Sequence, residues 1–269
     1  DKLPGFTASQ NPQISHITNM SNMFHNAETF NQNLNSWDVS HVTNMSGMFR
    51  GTYIFNQPFS SWDVSNVTDM SGMFQVSNLN QDLSSWDVSK VTDMSHMFAG
   101  ALNFNGNIST WNVSNVTNMQ GMFEYTHSFN QDLSSWDVSK VTNMQGMFGY
   151  AVGFNGNIST WDVSNVTNML GLLGGAIIFN GDISSWDVSN VTNMQGMFTQ
   201  AYAFNGNISS WDVSKVTNMN WMFLEATIFN QDLTGWCVTE ISIEPINFAL
   251  NSALYSSGNK PVWGTCPSL

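Results

Sequence analysis

The chain has 269 residues, a formal net charge of −13, 13% aromatic residues and only 9% charged ones. Aromatic richness with so few charges excludes a disordered chain, and the acidic balance excludes phosphate-backbone binding, which needs a basic face. No run of about 18 apolar residues is present to cross a membrane as a helix. The opening Asp1-Lys2-Leu3-Pro4 has no apolar signal core, so a secreted form would carry its signal upstream or have lost it.

Residues 1–13 precede any pattern and are read as a cap or the edge of a longer array. Residues 14–238 are a tandem repeat. Trp37, Trp62, Trp86, Trp111, Trp136, Trp161, Trp186, Trp211 and Trp236 follow one another at 25 residues, with one step of 24. The short step is a deletion within Gln75-Val76-Ser77-Asn78-Leu79-Asn80. A fixed period of this length predicts a stacked solenoid of about nine units.

Each unit runs through Trp-x-Val, then Met-x-x-Met-Phe-x-x-Ala, then Phe-Asn and a turn. In Ser36-Trp37-Asp38-Val39-Ser40 the alternation of apolar and polar residues predicts a short strand with Trp and Val inward. The three-and-four spacing of Met-x-x-Met-Phe-x-x-Ala predicts a short helical turn. No unit can bury its own apolar face, but stacked units can. Strands at about 4.8 Å per coil would make a rod of roughly 45 Å. All 17 Met fall into two columns, one from Met20 to Met219 and one from Met23 to Met222, as expected of an adaptable core filler.

Three polar columns run along the array. Asn31, Asn56, Asn80, Asn105, Asn130, Asn155, Asn180, Asn205 and Asn230 occupy one turn position and are read as a structural ladder that satisfies turn backbone groups. Thr18 to Thr217 form a hydroxyl file. Asp38, Asp63, Asp87, Asp137, Asp162, Asp187 and Asp212 form an outward acidic ladder, flanked by Ser and interrupted by Asn112. Two readings stay open for it: carboxylates bonded to neighbouring Ser, or weak sites for a cation, Ca²⁺ first among them. At about 5 Å, neighbouring carboxylates repel by roughly 0.8 kcal/mol in water. On that ground the folded Asp pKa is expected to rise, so that stability grows as pH falls from about 6 towards 4.

Residues 239–269 leave the pattern and are read as a C-terminal cap over the last coil. The only two cysteines are Cys237, standing where Asp usually does, and Cys266 in the tail. Their pairing as a disulfide would pin the cap and implies an oxidising location. Catalytic signatures are missing: no HExxH, CxxC, GxSxG or P-loop occurs, and the five His are scattered. A non-enzymatic role follows.

The string Trp-Asp-Val-Ser-Asn-Val-Thr-Asn-Met-x-Gly-Met-Phe, followed by Ala-x-x-Phe-Asn-Gln-Asp-Leu, resembles the 25- to 26-residue repeat of bacterial surface proteins related to the BspA-like leucine-rich repeats. Trp186–Phe198 and Trp211–Phe229 carry it almost without deviation, and the resemblance covers residues 14–238. It implies a right-handed, leucine-rich-repeat-like solenoid with one short parallel strand per coil, displayed on a cell or envelope surface. It brings no catalytic residues. The functional readings are an adhesive or spacer-like extracellular module for an unidentified protein or glycan, a structural block of a surface layer or fibre that associates end to end, and a weak Ca²⁺- or glycan-binding solenoid.

Overall fold

The computed structural model describes residue 14 and residues 16–267. Parallel bridges join Asn19 to Asn44, Asn44 to Asp69, Asp69 to Asp93, and so on at one unit per step to Asn193 and Asn218. The chain therefore winds once per unit, each coil lying against the next. Residues 1–13, read as an N-terminal cap or edge, lie outside the described residues.

The local elements differ from those expected. In each unit the strand shrinks to the single bridging Asn or Asp before the first Met, and it does not fall on Trp-Asp-Val. There the chain makes two turns, with Trp37 N–H on the Leu34 carbonyl and Val42 N–H on the Val39 carbonyl, both at 2.9 Å. Asp38 takes the Ser40 N–H at 3.1 Å, an Asx-type contact that bends the backbone and removes that donor from any ladder. The inward Trp and Val with an outward Asp remain.

The Met-x-x-Met-Phe segment is not helical either; among the described residues the regular helix is the 3₁₀ turn Ala253–Ser256. Instead the N–H groups of Met45, Gly47, Phe49 and Gly51 reach carbonyls of the next coil at 2.8–2.9 Å. Those of Met48, Arg50 and Thr52 fold back onto Met45, Gly47 and Phe49 at 3.1–3.3 Å. Overlapping turns of this kind need a left-handed residue, and Gly47 and Gly51 supply φ of 60° and 71°. The same two columns are left-handed along the array, the first mostly through Gly and the second through Gly51, Gly100 and Gly175, with Asn22, Asn26, Val76, His96, Tyr125, Tyr150, Gln200, Trp221 and Glu225 at the other positions.

The core is one continuous cluster. The Met, Val, Phe and Trp columns from Leu34 to Val238 are buried, apart from the terminal Met23, Phe24 and Phe30, which are half-buried. Trp indoles stack in file, and from Trp111 on each donates Nε1–H to a carbonyl of the preceding coil, as Trp161 does to Leu133 at 2.9 Å. Trp86 is the exception, with a buried Nε1 that finds no partner among the described residues. It sits just past the deletion, where Phe59 replaces the usual Leu or Ile and stands edge-on to it at 5.6 Å.

Equivalent rings in successive coils report the local coil spacing. It is 4.9 Å between Tyr125 and Tyr150 on the turn face, 5.6–5.8 Å along Phe98, Phe123 and Phe148, and 6.3–6.5 Å along the Trp file from Trp86 to Trp211. Each coil is thus a wedge, and the array is not a straight rod. It curves with the hydrogen-bonded turn face concave and the Trp side convex, the geometry by which solenoids create extended binding surfaces.

At the C-terminal end, Trp221, Phe223 and Glu225 donate to Ile246, Phe248 and Leu250 at 2.8–2.9 Å, so the tail begins as a degenerate further coil. Phe248 is buried edge-on to Phe223 and Trp263. Cys237 and Cys266 form a disulfide across 29 residues and tie the tail to the last Trp coil.

Candidate functional site

The acidic ladder lies exposed on the convex side. Each carboxylate is occupied by its own coil: Ser65, Ser89, Ser139, Ser164, Ser189 and Ser214 give their N–H to Asp63, Asp87, Asp137, Asp162, Asp187 and Asp212 at 3.0 Å. These serine hydrogen bonds hold the carboxyls of Asp38, Asp63, Asp87, Asp137 and Asp187 below the ordinary range. At Asp63 they outweigh the upward push from Asp87 and Asp38. At these five positions the expected rise in pKa is therefore reversed. Repulsion is also weaker than expected, because the coils stand more than 6 Å apart at the adjoining Trp. Among the described residues no cluster of three or more His, Cys, Asp or Glu side chains is placed to hold a metal ion.

The Asn column is a ladder of backbone clasps. Each side-chain carbonyl accepts the N–H of the next Asn, from Asn31 and Asn56 at 3.1 Å to Asn205 and Asn230 at 3.1 Å. Gln81, Gln131 and Gln231 close over the same oxygens. The Thr hydroxyls are likewise taken, donating to the preceding Thr carbonyl at 3.1–3.3 Å. These columns hold coils together and leave little to offer a partner.

The concave turn face is different. A groove of about 380 Å³ crosses it from His96 and Glu124 to Trp221 and Leu224. Its floor is glycine: Gly146, Gly149, Gly171, Gly174 and Gly196. One wall carries the amides of Gln120, Gln145 and Gln195, with Leu170 among them. The other carries Tyr150, whose ring lies over Gly175, where a Cβ would overlap it, and on which Tyr125 stacks. At one end His96 Nδ1 is 4.0 Å from Glu124, whose carboxyl is pushed up by burial. At the other, Trp221 holds φ of 59° in a column that is otherwise mostly Gly. A bulky residue in the left-handed region is a true outlier, and such strain gathers at functional sites.

A family described as "Mycoplasma protein of unknown function, DUF285" matches residues 5–88, 75–176 and 153–257. The chain belongs to that family. The DUF285 matches overlap and each spans several coils, as expected where one repeat runs on without a break. No curated protein and no solved structure matches the chain.

None of the groove residues stands out in the repeat pattern, because a consensus averages away the positions where coils differ. The available signal lies in the departures themselves. Trp221 and His96 stand where Gly is usual, and Tyr125 and Tyr150 stand side by side where other coils carry small or polar residues.

Proposed function

We propose that this DUF285 chain is a non-enzymatic binding module of an extracellular or cell-surface protein, wound in the right-handed leucine-rich-repeat manner, which holds its partner on the concave turn face. One observation carries this reading: invariance and variation are segregated. The Trp, Val, Met and Asn columns repeat almost residue for residue, whereas exposed residues that change from coil to coil, Tyr53, Leu102, Tyr150, Tyr202 and Ile228 among them, fall on the turn face and its edge. A face of exposed apolar side chains beside a formed groove marks an interaction surface. The disulfide supports an oxidising location.

The test fills the groove, with far-ultraviolet circular dichroism to show that the fold survives, since a Cβ at Gly149 or Gly174 meets a backbone carbonyl at 3.2 or 3.0 Å. Gly149 and Gly174 share a column with Gln75 and Glu124, so Gly149→Gln with Gly174→Gln places side chains the backbone already carries elsewhere. Beads coated with the chain should adhere to cultured cells or matrix-coated surfaces, and the double variant should lose that adhesion. Equal adhesion by both overturns the reading. A second reading, end-to-end assembly as a structural block, is favoured by the strong exposure of Ile243, Ile246 and Val262 on the cap. Sedimentation showing concentration-dependent oligomers, abolished by Ile246→Asp, would support it.

A further inference from the structure

We propose that the groove between Glu124 and Trp221 takes an uncharged oligosaccharide, one ring per coil; the proposal rests on the binding-module reading and names its ligand class.

Asn143 and Asn168 donate to the Oε1 atoms of Gln120 and Gln145 at 3.1 Å, and Asn218 donates to Gln195 at 2.8 Å. Each oxygen is fixed by the next coil, which turns the Nε2 groups outward as donors with no protein acceptor among the described residues. Side-chain amides held by one end, on two adjacent coils and again beyond the coil where Leu170 stands, make a row of pre-oriented donors. It suits a ligand that offers acceptor oxygens at the same period.

The apolar half of the groove then narrows the class. Tyr150, Leu170, Trp221 and Leu224 offer ring faces and aliphatic surface, half-buried or exposed. A sugar ring presents both needs at once, a C–H face for an aromatic plane and hydroxyls that donate and accept at its edge. A lipid tail would leave the amide row unmet, and a nucleobase, though it carries acceptors, comes on a phosphate backbone that a chain of net charge −13 repels. The glycine floor lets a flat ring approach the backbone, which side chains at Gly149 and Gly174 would block.

Spacing and charge decide the rest. Coils on this face are 4.9 Å apart at Tyr125 and Tyr150. An extended peptide advances about 3.3 Å per residue, so its like-facing side chains recur at about 6.6 Å and fall out of step with the amides. A β-1,4-linked pyranose chain advances by close to one coil per ring and turns over at each ring, so its like-facing edges recur every second coil, as Gln145 and Gln195 do with Leu170 between them. The net charge of −13 and the Glu124 carboxyl oppose an anionic chain.

The experiment is calorimetric titration of the intact, disulfide-bonded chain with tetramers of β-1,4-linked glucose and of β-1,4-linked N-acetylglucosamine, a sialylated tetrasaccharide, and an apolar octapeptide. At least one neutral tetramer should bind, with no binding of the sialylated sugar. Gln145→Ala and Tyr150→Ala should each weaken it about tenfold, and Asp162→Asn on the convex side should leave it unchanged. Trp221 fluorescence should become protected from acrylamide on binding, an effect absent in Trp221→Phe. If no saccharide binds while the groove-filling double variant still abolishes bead adhesion, the sugar assignment fails and the module reading stands. Binding of the octapeptide in the groove likewise overturns the sugar assignment and leaves the module reading intact. If the double variant adheres normally, both fall.

Discussion

Trp161 and Trp86 form a natural matched pair. Both are buried to 3% exposure and both are stacked between two neighbouring indoles at 6.3–6.5 Å. They differ in one atom's circumstances: Trp161 donates Nε1–H to Leu133 at 2.9 Å, whereas Trp86 Nε1 is buried without a partner among the described residues. Exchange of indole for benzyl removes similar volume at each site, so the packing loss is shared. Trp161→Phe also loses a hydrogen bond contributing about 1 kcal/mol, although Leu133 still accepts from Trp136 N–H at 3.0 Å. Trp86→Phe removes an unmet donor that costs about 1–3 kcal/mol. Trp161→Phe should therefore be less stable than Trp86→Phe by about 2–4 kcal/mol. Urea unfolding followed by far-ultraviolet circular dichroism, with the disulfide intact, should separate the midpoints by about 1 M at equal slope. Equal midpoints, or a lower one for Trp86→Phe, would refute the account of the indole–carbonyl bond as the link between coils.

Three further outcomes are expected. Because serine hydrogen bonds depress the Asp carboxyls, the unfolded chain takes up protons before the folded one; melting temperature should be flat above about pH 4.5 and fall below about 4. Glu124, raised by burial, acts in the opposite sense but is a single group, and a rise in stability from pH 6 to 4 would contradict the hydrogen-bond assignment. Replacing Cys237 and Cys266 together by Ser should release the cap rather than the array: loop closure across 29 residues is worth about 3–4 kcal/mol, and hydrogen exchange should quicken at Phe248 and Leu254 while Met144 stays protected. Trp221→Gly should leave stability within about 1 kcal/mol, since relief of left-handed strain offsets lost packing, yet abolish adhesion; a large loss of stability would make Trp221 a structural residue.

Much of the fold is legible in the sequence because its strongest signals are one-dimensional. A 25-residue Trp period has few explanations other than stacking, and the inward parity of Trp37 and Val39 survives in the structure. The pairing of Cys237 with Cys266 is legible because a tail that leaves the repeat holds one of only two cysteines. The local elements are not, because spacing is a weak discriminator over short stretches. Met45, Met48 and Phe49 fit a helical turn and a string of β-turns equally well, and the telling residues are Gly47 and Gly51 between and after them. The Asp38 region departs from expectation for a related reason: alternation announces a strand, but the Asp-x-Ser contact diverts the backbone donors. The sign of the Asp pKa shift follows from hydrogen bonds within each coil, which spacing alone does not reveal, rather than from repulsion between coils. The groove escapes a consensus because its informative residues are those that break the period.

The left-handed positions impose an order of succession on the array. A side chain there projects onto the matching position of the following coil, and where it is not matched by a like residue it meets a bare backbone: Asn22 on Gly47, Asn26 on Gly51, His96 on Gly121, Tyr150 on Gly175. Tandem genes lengthen and shorten by unequal crossing-over, yet here a coil that supplies the glycine beneath a large left-handed side chain cannot be excised on its own. Deleting the segment that carries Gly175 would drive Tyr150 against Gln200, and duplicating the one that carries His96 would require two imidazoles to stack as Tyr125 and Tyr150 do. Such arrays should evolve by exchange of adjacent pairs, which leaves a record of past recombination readable in where the glycines fall.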